Sequence, residues 1–272
     1  MALVKLIATD MDCTLLLNDG TLPVGIFPRI SALHEAGIEF ALASGRTTTN
    51  LEDYFRPVRD KVIFLAENGG VLKRSGKVFS VTYMRHKQLD PIVEFVRKQE
   101  NVIAIGNALD ASYIENADQS FESAVSSFIS RAKIVPNLTA PELALVKLTL
   151  FFPNEDASFA LDNIYGPKFG SDLAVTFGGP ACIDIMPKQV NKGYGIRRLG
   201  LILGIGLDDI MALGDSTNDI EMMKAVGYPV LVDNAIPCLW EYGKYHTGTN
   251  EEQGVFQAID RVLAGKTPET IA

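Results

Sequence analysis

The chain is 272 residues long, 47% hydrophobic and 21% charged, enough to bury a sizeable core in one large domain or two smaller ones. Its 25 basic and 33 acidic residues leave a formal charge of −8, which argues against nucleic acid or an anionic membrane as the main partner. Cys13, Cys182 and Cys238 are scattered and form no CxxC pair, against a disulfide scaffold or a zinc site; with no signal-peptide layout and no membrane-length apolar run, a cytoplasmic protein is expected.

In chain order, Leu3–Thr9 reads as a buried strand and Pro23–Ala36 as a helix with Ile26, Ile30 and Leu33 on one face. Gly37 follows, where a helix end favours a residue tolerant of positive φ. Glu39–Ala43 is a strand, Thr47–Phe55 a helix and Val62–Ala66 a third strand, an alternation that predicts a parallel sheet covered on both faces. From about Thr82 the rhythm changes. A hairpin in GGVLKRSGKVFSV leads to a helix over Lys87–Glu100, strands at Val102–Gly106 and Ser112–Asn116, and a polar helix near Asp118–Ile129. Leu145–Phe152 reads as a strand, Glu155–Tyr165 as a helix, and Ala174–Phe177 and Ala181–Met186 as strands. After Pro187 the α/β pattern returns: a helix in KQVNKGYGIRRLGLILG, a strand in DIMALGD, a helix in STNDIEMMKAVG, a strand in YPVLVDNA and a closing helix in EEQGVFQAIDRVLAG. The expected architecture is one α/β core, residues 1–81 and 188–272, interrupted by an α+β insertion at 82–187.

In an open α/β sheet, ligands bind beyond the carboxyl ends of the strands. Asp10 and Asp12 stand there, two apart and so on one side of an extended chain. Ser44-Gly45-Arg46, the loop into Lys192, and Asp215 with Asn218 and Asp219 occupy equivalent places. Each pair of like charges about 4 Å apart costs roughly 4 kcal/mol at an effective dielectric near 20, so converging carboxylates require a counter-charge. His34, His86 and His246 are isolated, and an oxygen-only site suits a hard ion, Mg²⁺. Lys192 opens a helix, where a cation is disfavoured unless an anion shares the site. Ser44, with the N–H groups around Gly45, can hold an anion, and Arg46 can reach a second anionic group. Such a set fits phosphoryl transfer to a carboxylate: Asp10 as nucleophile, and Asp12 protonating the leaving alcohol and then activating water.

DMDCTL, ALASGR, NKG and GDSTNDIEMM, in this order, resemble the four motifs of the haloacid dehalogenase superfamily, most closely its Cof-like type IIB phosphatases. ENGG at Glu67–Gly70 and the late DNA and EQGV segments resemble that subfamily too. The resemblance implies a Rossmannoid core with an α+β cap inserted between the second and third motifs. It implies a Mg²⁺ ion held by Asp10, the backbone carbonyl of Asp12, and Asp215, with Asn218 and Asp219 in support and Ser44 and Lys192 on the phosphoryl oxygens. The substrate expected is a small phosphomonoester, a sugar phosphate or related metabolite; a phosphomutase or a non-catalytic binder of such metabolites is the alternative. Oligomeric state is left open. One departure stands out: Cys13 occupies a position usually held by glycine, which would cost on the order of 1–2 kcal/mol if φ there is positive. Cys13 is also a candidate oxidation-sensitive thiol.

Overall fold

The computed structural model describes residues 4–115, 132–153, 156–266 and 269–270; the helix expected near Asp118–Ile129 lies outside the described residues. The chain divides into two compact units, Met1–Ser80 with Asn191–Ala272, and Val81–Val190.

The first unit carries a nine-stranded sheet. Its strands are β1 (Leu6–Thr9), β2 (Glu39–Ala43), β3 (Val62–Ala66), β4 (Val71–Arg74) and β5 (Lys77–Val81), joined after the insertion by β12 (Ile210–Gly214), β13 (Tyr228–Val232), β14 (Tyr245–Thr247) and β15 (Glu269–Thr270). The order is β15-β14-β13-β12-β1-β2-β3-β4-β5, parallel from β14 to β3 and antiparallel where β15 and β4 are added. Every residue of β1, β3 and β12 is buried, the burial expected of parallel strands covered on both faces. Helix α1 (Ile26–Glu35) buries Ile26, Ile30 and Leu33, and Gly37 follows it at φ 72°. Helix α2 (Thr48–Tyr54) is capped by the Thr47 hydroxyl, which accepts from Asn50 N. From β1 the chain moves to β2 and β3 on one side, and it returns through β12 to β13 and β14 on the other. The sheet therefore reverses direction of growth at β1/β12, the place where such sheets bind ligands. Thr9 pairs with Leu42 and with Leu213, so Asp10, Ser44 and Asp215 leave the sheet along one edge.

The second unit is α+β. It has a six-stranded sheet with order β10-β11-β9-β6-β7-β8, built from β6 (Ile103–Asn107), β7 (Ser112–Glu115), β8 (Ala132–Val135), β9 (Lys147–Phe151), β10 (Leu173–Gly179) and β11 (Cys182–Pro187). Leu148, Leu150, Ile183 and Ile185 pack with Leu89, Ile92, Val93 and Val96 of helix α3 (His86–Val96) and with Tyr165. Strands β8 and β14 escape the sequence reading: β8 buries none of its four residues, so it has no apolar face to show, and β14 has only three residues. Among the described residues no helix is long and apolar enough to cross a membrane.

Candidate active site

Asp10 directly follows the buried β1 and is only 5% exposed. Its Oδ1 accepts from Met11 N at 2.7 Å and meets Lys192 Nζ at 2.8 Å; among the described residues no hydrogen bond reaches Oδ2. The second acidic group grows from the end of β12. Asp219 is fully buried, with Oδ1 receiving Lys192 Nζ at 2.7 Å and Oδ2 receiving the backbone N–H groups of Asp215 and Ser216, each at 3.1 Å. A Cβ on Gly214 would lie 2.6 Å from Asp219 Cγ, so glycine is what lets this carboxyl fold back against the strand end. By closing the turn on itself, Asp219 also shortens the helix expected over STNDIEMMKAVG to a 3-10 turn, Thr217–Asp219, and α5 (Ile220–Met223). Asp215, 7% exposed, accepts the Thr14 hydroxyl at 2.6 Å. Ligand oxygens of Asp10, Asp215 and Asp219 all lie within 4.8 Å of one another.

Lys192 is the first residue of α4 (Lys192–Leu203), which begins four residues later than expected because Asn191 caps it, accepting from Tyr194 N at 2.7 Å. The ammonium is completely buried at the positive end of a helix, a doubly unfavourable place that two carboxylates compensate. Burial works to lower its pKa, but Asp10 and Asp219 outweigh that and hold Lys192 above its ordinary value. Three carboxylates against one ammonium still leave a surplus of negative charge. Burial pushes Asp10 well above the usual carboxylate range; Lys192 opposes the shift, and Asp219 and Asp215 add to it. Burial likewise lifts Asp215 to about 6, against the hydrogen bond from Thr14 and with repulsion from Asp219. A buried, oxygen-only donor set with uncompensated negative charge fits a hard divalent cation and not a soft one.

The carboxylate of Asp12 lies outside this trio. Arg46 grips it in a fork, Nε to Oδ2 at 3.0 Å and Nη2 to Oδ1 at 2.6 Å, while Nη1 donates to Asn50 Oδ1 at 3.1 Å and the guanidinium carbon sits 5.3 Å from the Tyr54 ring centre. The anionic group that Arg46 reaches is thus Asp12, because the fork of one matches the carboxylate of the other. Ser44 is buried, and its Oγ accepts from Arg46 N at 3.1 Å. Its loop, which includes Gly45, is tied to the ENGG segment: Asn68 N donates to Ser44 O at 2.9 Å and Glu67 N to Arg46 O at 3.1 Å. Glu67 and Asn68 adopt φ of 51° and 53°, conformations that carry strain in residues other than glycine. Asn218 Oδ1 is buried and has no hydrogen-bond partner among the described residues, leaving a polar atom available to a ligand.

Cys13 has φ 56°, so the cost foreseen for a side chain at this position, about 1–2 kcal/mol, is incurred. The thiol is free and exposed; partial burial, with Asp215, Asp12 and Asp10 nearby, pushes its pKa up, which works against thiolate formation. Sequence reasoning missed Thr14, although a hydroxyl two residues beyond a paired acid was visible; it also gave no role to Asn234, whose Nδ2 donates to Cys13 O at 2.7 Å.

Comparison with known proteins agrees with this geometry. Residues 7–259 match the family described as haloacid dehalogenase-like hydrolase. The chain is 27% identical, over 97% of its length and 98% of the relative's, to the 5-amino-6-(5-phospho-D-ribitylamino)uracil phosphatase YbjI of Escherichia coli K12. A crystal structure from Streptococcus mutans UA159 superposes with TM-score 0.83 at 27% identity, covering 96% of this chain and 99% of the other. A structure described as a HAD subclass IIB sugar phosphatase shares the fold, with TM-score 0.77 at 20% identity over 94% and 98% of the two chains. With a family match spanning nearly its whole length, the chain belongs to the haloacid dehalogenase-like hydrolases.

Proposed function

We propose that this protein is a magnesium-dependent phosphatase that hydrolyses small phosphomonoesters through an aspartyl-phosphate on Asp10. The observation that carries the reading is the environment of Asp10: one oxygen fixed by Met11 N and Lys192, the other without a protein hydrogen bond among the described residues, beside two further buried carboxylates. Asp10, the Asp12 carbonyl and Asp215 would hold Mg²⁺, with Asp219 organising Asp215 and Lys192 around it. When bound, the ion supplies the positive charge that lets an anionic ester approach an anionic nucleophile.

In the first half-reaction an Asp10 carboxylate oxygen forms a bond to phosphorus, the bond from phosphorus to the ester oxygen breaks, and Asp12 delivers its proton to the departing alkoxide. In the second, water adds to phosphorus as Asp12 takes its proton, and Asp10 leaves as free carboxylate. Ser44, the N–H groups around Gly45, Lys192 and Asn218 hold the phosphoryl oxygens. Arg46 is assigned to Asp12 instead of the phosphate. Its fork occupies both Asp12 oxygens, so it must loosen at one of them when Asp12 passes a proton to the leaving group. The Asp12 side chain is 55% exposed, and a pair this open is worth about 0–1 kcal/mol, a small barrier to that release.

The inserted residues 82–187 are assigned the role of a cap that selects the ester. The name of the Escherichia coli relative makes a phosphorylated ribityl compound the first substrate to try, followed by sugar phosphates. The test is a phosphate-release screen over such esters with Mg²⁺ or chelator. Release that requires the metal supports the reading, and equal release in chelator contradicts the metal assignment. Free phosphate as product supports the hydrolase; transfer back to the sugar would show the phosphomutase instead.

A further inference from the structure

The turn after Asp12 is strained, and a distant part of the chain holds it. Cys13 is left-handed at φ 56°, and the N–H groups of Thr14, Leu15 and Leu16 all return to the Met11 carbonyl at 3.4, 3.0 and 2.8 Å. The backbone therefore reverses immediately after Asp12, and the direction of that carboxylate depends on the conformation of residue 13. Non-glycine residues keep such a conformation only where their surroundings impose it.

The surroundings here come from two late loops, at 233–236 and 249–251. Asn234 Nδ2 donates to Cys13 O at 2.7 Å, and Asn234 Oδ1 accepts from Asn250 N at 2.9 Å. Asn250 is 3% exposed, and its Nδ2 donates to Leu16 O and to Asn18 Oδ1, both at 3.0 Å. Asn18 N in turn donates to Glu251 Oε1 at 2.6 Å. The same 233–236 loop reaches the other acidic turn, where Ile236 N donates to Asp215 O at 2.9 Å. One short segment thus bonds the backbones of both acid-bearing loops.

We infer that Asn234 and Asn250 are positioning residues that fix the Cys13 peptide in its left-handed form and so aim the Asp12 carboxylate for proton transfer. The inference rests on the assignment of Asp12 as general acid and base. An amide is well matched to this role, because one side chain donates to a carbonyl and accepts from an N–H in one plane, without adding charge beside an already acidic site. Without it the turn relaxes, and a proton donor displaced by a fraction of an ångström to an ångström loses up to about 100-fold in rate.

The test compares single-turnover release of the leaving group from an alkyl phosphate and from 4-nitrophenyl phosphate. An alkoxide needs a proton to depart, whereas 4-nitrophenolate leaves without one. Asn234→Ala, an exposed side chain whose removal leaves the core intact, is expected to slow the alkyl ester by about 10-fold and the aryl ester by less than about 2-fold. Asn250→Ala is expected to show the same split. A general loss of folded enzyme slows both esters equally, and that result, or no slowing, overturns the inference. Asp12→Asn measured alongside separates the two levels. If it shows the alkyl–aryl split and Asn234→Ala does not, the positioning inference fails alone; if Asp12→Asn shows no split, the assignment of Asp12 fails.

Discussion

Each unit of the molecule buries a lysine against an aspartate, and the two pairs are differently balanced. In the second unit Lys147 Nζ lies 3.0 Å from Asp184 Oδ2, with side chains 5% and 7% exposed. Thr149 donates to Asp184 Oδ1 at 2.7 Å, Asn107 Nδ2 to Thr149 at 2.9 Å, and Ser112 to Asn107 Oδ1 at 2.8 Å. Among the described residues the Lys147 ammonium faces a single carboxylate, and the polar atoms form a line across adjacent strands of one sheet face. In the first unit Lys192 meets Asp10 and Asp219 with Asp215 beside them, three carboxylates to one ammonium. A matched pair is architecture, since burial and attraction roughly cancel. A mismatched one stores a demand for positive charge, which a cation satisfies.

The largest effect expected from this contrast is on turnover. Asp10→Asn should lower phosphate release by on the order of 10⁴-fold while leaving the unfolding midpoint at or above wild type, because it removes one of the surplus charges. Comparable turnover in the variant would remove Asp10 from the chemistry. Next come the lysines. Lys147→Met alone should cost about 3–5 kcal/mol in denaturant unfolding, and Lys147→Met with Asp184→Leu should recover most of it. Lys192→Met with Asp219→Leu should not recover, since Asp10 and Asp215 stay crowded and the N–H groups of Asp215 and Ser216 lose their acceptor. Equal recovery in both double variants would erase the distinction between the two pairs.

A third effect is linkage to metal and proton. Mg²⁺ at 100 times its Kd should stabilise the wild type by about 2.7 kcal/mol, and Asp215→Asn should lose most of that gain at the same concentration. Without metal, Asp215 holds its proton to about pH 6 in the folded state but only to about pH 4 when unfolded. Folding therefore binds a proton between those values, so metal-free protein should lose stability as pH rises from 4 to 6. A stability rising with pH across that window would show the charge surplus to be absent. The smallest effect is at Cys13: Cys13→Gly should gain about 1 kcal/mol by relieving the left-handed strain, as read by thermal unfolding.

Much of the acidic constellation was legible because parallel sheets place strand ends along one edge, and Asp10, Asp215 and Asp219 each follow or closely trail a continuous apolar strand. Lys192 was legible from its conflict with the helix dipole, although its partners proved to be side chains of the chain itself. For Arg46 the sequence shows a charge near the site but not which anion it reaches, and in the structure that anion is the Asp12 carboxylate. Asn234, although part of the DNA segment, and Asn250 had no readable role for a related reason. Their partners are backbone carbonyls more than 200 residues away, and a carbonyl has no letter in the sequence. The Lys147–Asp184 pair left no motif either, being set by strand register.

Acid quench of a single turnover with ³²P-labelled ester and Mg²⁺, followed by peptide mapping, tests the central claim most directly. The aspartyl-phosphate mechanism predicts an acid-stable, alkali-labile label on the peptide containing Asp10, absent from Asp10→Asn. Label on a peptide without Asp10, or full turnover with Asp10→Asn, would contradict it.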